Sequence, residues 1–237
     1  MTTPFQVYLL DVDGTLVHCG GAGRRSLERS LADHCGPFDG ALAGLHLDGM
    51  TDRLIVREAL GLLGYPFSDE RCDDVLARYL VHLEGEIAAP GYEVLPGVVE
   101  ALEALRARAA AYGLCTGNVV GGARVKLARG GLDGYFDWGP RAIAGFASDG
   151  EARERIVLAA LRRASARLGR SLDPREALVV GDTPRDVDAA HLAGCPVLGV
   201  ATGRYAAAAL RAAGADFVVP TLADPEARRL LGAPPPP

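Results

Sequence analysis

Apolar and polar positions along the 237-residue chain change rhythm twice. Residues 5–10 form a short apolar run halted by a turn, the pattern of a buried strand. Over residues 24–34, 51–63 and 69–86 the apolar positions recur at helical spacing, with Thr51 and Ser68 placed to cap two of these helices. No convincing strand pattern occurs between residues 17 and 90, so this block reads as a helical insertion. The rhythm then alternates. Helices are predicted over 97–108, 119–129, 151–168, 184–192 and 206–213, and strands over 110–115, 177–180, 196–200 and 217–219. Residues 135–138 and 141–144 carry shorter strand-like patterns.

Alternating strands and helices of this length imply βαβ units and a mostly parallel, doubly wound α/β sheet with right-handed crossovers. The expected organisation is a core of residues 1–16 and 91–230, an inserted α-helical cap of residues 17–90, and a Pro-rich tail of residues 231–237. A chain of this length can bury one core and a smaller second unit. Its net charge of −5 gives no nucleic-acid footprint. No apolar run approaches the roughly 20 residues of a membrane span, and the first residues have no basic segment or cleavage site of a signal peptide. The expected compartment is the cytoplasm, and the expected state a monomer or homodimer. The five cysteines are odd in number and form no C-x-x-C pair, which disfavours a disulfide framework or a zinc site. Most read as small buried thiols; Cys19 follows the first polar motif and is expected to face the same cleft.

Three predicted strands end in chemistry-bearing residues. The first runs into Asp11-Val12-Asp13-Gly14-Thr15, the second into Cys115-Thr116-Gly117-Asn118, and the third into Gly181-Asp182-Thr183-Pro184-Arg185-Asp186. In a parallel sheet these ends share one edge, where ligands bind. Carboxylates crowded together raise one another's pKa unless a cation is present, and Mg²⁺ is the hard cation suited to oxygen ligands and phosphate. Thr116 and the N–H groups after it start a helix, a ready anion site. A metal beside an anion site points to phosphoryl chemistry. A calcium loop of the EF-hand type fails, because Leu16 and Ala22 stand where it needs Gly and Glu. The third motif alone is equally explained as a capped turn, and the second as a cap. Their occurrence in order, each ending a strand, is what separates the readings.

With these motifs the chain resembles the haloacid dehalogenase-like hydrolase superfamily: DVDGTL as its first motif, the apolar run ending at Thr116 as its second, and GDTPRD as its fourth. The helical insertion, with GMTDRLIVREAL at residues 49–60, is similar to the cap of the phosphoglycolate phosphatase-like branch. The resemblance implies that Asp11 attacks phosphorus to form an aspartyl-phosphate and that Asp13 serves the leaving alcohol and then the water as acid and base. It implies that Asp11, the backbone carbonyl of Asp13 and Asp182 hold Mg²⁺, with Asp186 supporting them, and that Thr116, Gly117 and Asn118 hold the phosphoryl oxygens. True dehalogenases of this fold lack the second aspartate, so Asp13 favours a small phosphorylated metabolite as substrate. A phosphomutase and a non-enzymatic binding protein of the same fold are the alternatives.

The sequence departs from the family at its third motif, usually a lysine. The region SDGEARERIVLAAL contains none, and Lys126 is the only lysine in the chain. At 1.5 Å per residue its Cα falls on the order of 10 Å along its helix from the Thr116 end, so a solvated surface position is expected. Arg153 is the candidate for the missing charge, with Arg155 and Lys126 as alternatives. An arginine in a first helical turn opposes the dipole, which leaves a merely helix-stabilising role poorly explained. Arg24, near the start of the first insertion helix, is a candidate contact for an anionic substrate group, or an exposed helix face.

Overall fold

The computed structural model describes residues 5–38, 40 and 42–233. Its centre is a six-stranded parallel sheet of β1 (Val7–Leu10), β4 (Ala111–Cys115), β5 (Ala144–Gly145), β6 (Ala177–Gly181), β7 (Val197–Val200) and β8 (Phe217–Val219). The spatial order is β5-β4-β1-β6-β7-β8. Tyr8 pairs in register with Tyr112 on one side and Leu178 on the other. Every residue of β1 and β6 is buried, as expected for strands covered on both faces. Val7, Leu9, Ala177 and Val179 point into one hydrophobic cluster with helices α6 (Arg153–Leu168) and α7 (Pro184–Leu192). Tyr8, Leu10, Leu178 and Val180 point into the other, with α4 (Val98–Ala107), α5 (Val120–Arg129) and α9 (Pro225–Leu231). Helix α8 (Ala207–Ala212) joins β7 to β8.

The chain leaves β1 towards β4 and β5, then returns across it to β6. This reversal beside β1 leaves a crevice beyond the carboxyl ends of β1, β4 and β6, the place where open α/β sheets bind ligands. Above it stand α1 (Ala22–Cys35), α2 (Asp52–Leu62) and α3 (Asp69–Glu86). These helices share a third cluster, with Leu31, Val56, Leu60, Val75 and Leu83 fully buried. Thr51 and Ser68 cap α2 and α3 by accepting from the N–H groups of Leu54 and Arg71.

The structure corrects the sequence pattern in four places. Residues 17–90 do contain a strand: β2 (Val17–Cys19) pairs antiparallel with β3 (Tyr92–Val94), so the two connections into the helical lobe form one ribbon. Residues 135–138 are not a strand; a single 3₁₀ turn over Asp133–Tyr135 lets Phe136 and Trp138 pack against the core. The 141–144 pattern shrinks to the edge strand Ala144–Gly145. Helix α9, capped by Asp224 and opened by Pro225, has no counterpart in the predicted elements and buries Leu230 and Leu231. The core therefore extends into the first residue of the expected tail; residues 234–237 lie outside the described residues.

Candidate active site

The turn after β1 is set by Val12, whose carbonyl accepts from the N–H groups of Leu16 and Val17. Gly14 turns the chain at φ +75°, and a Cβ there would lie 2.3 Å from Asp182 Oδ2. Only glycine allows both the backbone conformation and that approach. Thr15, fully buried, donates to Asp182 Oδ1 at 3.1 Å, and Thr202 after β7 donates to the Gly14 carbonyl at 2.6 Å. Asp11 extends β1, its N–H bonded to Val180 at 2.9 Å. The ends of β1 and β6 are thus joined by backbone and side-chain bonds, which fixes Asp11 beside Asp182.

Asp186 is the third helical residue of α7, where it closes a capping box with Thr183. Thr183 donates its N–H and its hydroxyl to Asp186 Oδ2, at 3.0 and 2.7 Å. Asp186 Oδ1 accepts from Arg153 Nε at 2.7 Å. Arg153 opens α6, two residues later than the sequence predicts, with its side chain 9% exposed. Its Nη2 lies 2.8 Å from Asp11 Oδ2 and 2.5 Å from Asp186 Oδ1, while Nη1 donates to the Gly49 carbonyl of the helical lobe at 3.3 Å. Arg155, one of the alternatives, is exposed on the far side of the turn.

Asp11, Asp182 and Asp186 each offer an oxygen within 4.8 Å of the others, and all three are buried. Against three carboxylates stands one guanidinium, leaving a net negative cluster. Burial pushes the Asp11 carboxyl up to about 6 despite Arg153, with Asp186 and Asp13 adding to the rise. Burial, then Asp186 and Asp11, holds Asp182 well above the usual carboxylate range. Buried, oxygen-only and under-neutralised, this donor set fits a hard divalent cation.

Asp13 belongs to a different neighbourhood. Burial alone would raise its carboxyl, but the charge of Lys126 and hydrogen bonds from Lys126 and Asn118 bring it below the usual range. Lys126 is not on the surface. It is 5% exposed, and its Nζ donates to Asp13 Oδ2 and Asn118 Oδ1, each at 2.6 Å. Axial rise alone does not count side-chain direction: helical side chains slant towards the N-terminus and cover the preceding turn. A lysine reaching back along α5 meets the Asn118 loop. Asn118 Nδ2 in turn donates to Asp13 Oδ2 at 2.7 Å and to Thr116 Oγ1 at 2.8 Å. The Asn118 side chain is therefore committed to holding neighbours together.

The helical lobe closes over these groups. Asp52 donates its N–H to the Gly117 carbonyl at 2.7 Å and accepts from the Val119 N–H at 2.8 Å, so the first turn of α2 docks on the start of α5. A Cβ on Gly117 would stand 2.4 Å from the Met50 carbonyl, which explains glycine there. Thr51 donates to the Glu151 carbonyl at 3.0 Å. The cavity enclosed between lobe and sheet measures about 450 Å³ and is lined by Asp11, Asp13, Thr116, Gly117, Asn118, Lys126, Arg153 and Asp182. Arg24 and Cys19 line it too. The Arg24 Nη atoms donate to the Leu42 and Leu45 carbonyls, at 2.7 and 3.1 Å, so that side chain braces the lobe as well as facing the cleft. Burial, and next Asp13, push the Cys19 thiol up to about 12, which leaves it a neutral wall. A larger groove of about 670 Å³ lies by Phe5, Tyr112 and Arg167, at the amino ends of the strands and far from these groups.

The sequence pattern brought Asp11, Asp13, Thr116, Gly117, Asn118, Arg153, Asp182 and Asp186 to one place; it missed Lys126 and Asp52 as neighbours of that place. The signal for Asp52 was its position after Thr51 at the start of a helix in the GMTDRL stretch.

Comparison with known proteins matches residues 5–194 to the haloacid dehalogenase-like hydrolases. The phosphoglycolate phosphatase of Rhodospirillum rubrum is 35% identical over 201 residues, covering 82% of this chain and 79% of that protein. Among solved structures, a HAD hydrolase of family IA, variant 3, from Entamoeba histolytica superposes with a TM-score of 0.70 at 19% identity, over 96% of this chain and 99% of that one. A candidate beta-phosphoglucomutase of Bacteroides vulgatus gives 0.69 at 20% identity, over 96% and 89%. These two share the fold.

Proposed function

Because the chain belongs to the haloacid dehalogenase-like hydrolase family, we propose that it is a Mg²⁺-dependent phosphatase acting on a small phosphate monoester through an aspartyl-phosphate on Asp11. The observation that carries this reading is the enclosure of Asp11, Asp13, Thr116, Arg153 and Asp182 in one cavity. The R. rubrum relative makes phosphoglycolate the first ester to test, followed by sugar phosphates.

Asp11, Asp182 and the backbone carbonyl of Asp13 would hold Mg²⁺, with Asp186 beside them. When bound, the ion supplies positive charge to the carboxylates and to the phosphoryl oxygens. The chain's own residues do the rest. Arg153 keeps Asp11 from turning away and adds a cation for the phosphoryl group. Thr116 and the backbone N–H groups of Gly117 and Asn118 bind its oxygens. An Asp11 oxygen bonds to phosphorus as the ester P–O bond breaks; Asp13, whose carboxyl rests low beside Lys126 in the free protein, takes up a proton as the substrate binds and gives it to the departing alkoxide. Asp13 then takes a proton from water, whose oxygen attacks phosphorus; the Asp11–phosphorus bond breaks and inorganic phosphate leaves. The docked lobe excludes bulk water during the first step. Arg24 adds positive charge at the cleft wall for an anionic leaving group.

A screen over many phosphorylated metabolites with Mg²⁺, with Asp11→Asn alongside, tests the reading. It predicts phosphate released to water by the wild type and none by the variant. Silence of the wild type on every ester, or full activity of Asp11→Asn, would overturn it. An isomeric sugar phosphate as the sole product would instead support the mutase reading, which rests on fold alone.

A further inference from the structure

The phosphatase reading leaves one buried charge without a task. Lys126 sits in the second turn of α5, 5% exposed, and makes its ion pair with Asp13. Holding an ammonium in such a place costs several kcal/mol of desolvation unless partners compensate, and here the partners are Asp13 Oδ2 and Asn118 Oδ1. Asn118 closes the triangle by donating to the same Oδ2. Both bonds thus fall on one oxygen of Asp13, while its side chain stays 45% exposed towards the cleft. Lys126 is held from behind by its own backbone, whose carbonyl accepts from Tyr92 on β3 at 2.8 Å.

We propose that Lys126 is a positioning residue: with Asn118 it fixes Oδ2 of Asp13 and presents Oδ1 to the ester oxygen of the substrate. This rests on the phosphatase reading and adds a second buried cation with a separate duty. Arg153 faces the nucleophile; Lys126 orients the acid–base carboxylate. The alternative duty, direct binding of the phosphoryl group by Lys126, makes a different kinetic prediction. Phosphoryl binding serves every ester alike. Orientation of the acid matters only where the leaving group needs a proton.

The test compares two esters with Mg²⁺: an alkyl phosphate such as phosphoglycolate, whose alkoxide is a poor leaving group, and 4-nitrophenyl phosphate, whose phenolate leaves unaided. Lys126→Met should lower kcat/KM for the alkyl ester by roughly 10²-fold, within the range of acid–base contributions, and for the aryl ester by less than about 5-fold. Asn118→Ser should show the same asymmetry, more weakly, and Lys126→Arg should restore part of it. In an Asp13→Asn background Lys126→Met should cost little more, since groups acting as a unit are non-additive. Equal losses on both esters, or additive losses with Asp13→Asn, would overturn the role while leaving the phosphatase reading intact. A wild type silent on every alkyl and aryl ester of the screen would overturn the two together. If Lys126→Met does not fold, the Asn118→Ser and Lys126→Arg ratios decide.

Discussion

The two sides of the cleft are charged on opposite plans. On the β6 side, Asp11, Asp182 and Asp186 share one cation, Arg153. On the α5 side, Asp13 is ion-paired with Lys126, with Asn118 binding both, and burial pushes the neighbouring Asp52 carboxyl up to about 6. The first side is under-neutralised and fits a cation; on the second the Asp13 carboxylate already has its cation in Lys126. Crowded carboxylates therefore mark where something binds, and a satisfied pair marks where something is held still. Asp11 and Asp13 lie two residues apart yet fall on different sides of this divide, with the Asp11 carboxyl pushed up to about 6 and that of Asp13 held below the usual range.

The comparison can be broken in order of effect. Asp11→Asn should remove at least ~10⁴-fold of kcat, as nucleophile losses do, read as phosphate release with Mg²⁺. Arg153→Ala should lower kcat by roughly 10²–10³-fold, the scale of losing one charge-stabilising donor. It also strips the buried Asp11 and Asp186 of the cation they pair with among the described residues, so without metal it should lose about 3–5 kcal/mol of stability. Mg²⁺ should restore part of that loss in a chemical-denaturation series; no restoration would mean that the cluster is not the cation site. In the wild type, Mg²⁺ at ~100 times its dissociation constant should add about 2.7 kcal/mol of stability, and Asp182→Asn should abolish most of that gain. If Mg²⁺ stabilises Asp182→Asn as strongly as wild type, the ion sits elsewhere. Smallest is Arg155→Ala, an exposed residue two positions after Arg153. It should change stability by no more than about 0.5 kcal/mol and leave kcat unchanged; a large fall would move the cationic role off Arg153.

Much of this layout was legible in residue order, because strand ends are local. Asp11, Thr116 and Asp182 each follow an apolar run, and a parallel sheet has one carboxyl edge. Arg153 was legible through an absence, the missing lysine of the third motif. Lys126 was not, because distance along a helix axis says nothing about how far a long side chain reaches back along it. The ribbon of β2 and β3 was hidden for another reason. Each strand is three residues long, and its partner lies across the whole helical insertion, so neither carries a period of its own. Helix α9 is short, and its burial comes from packing beside α4 and Tyr8, a tertiary fact.

The central claim is that Asp11 carries the phosphoryl group. Rapid mixing with a turned-over ester and Mg²⁺, an acid quench, proteolysis and mass analysis of the peptide containing Asp11 and Asp13 would test it directly. The account predicts the mass of one phosphoryl group on that peptide, fragmentation placing it on Asp11, and its loss in Asp11→Asn. Steady turnover with no phosphorylated peptide at any quench time, or the group on Asp13, would contradict it.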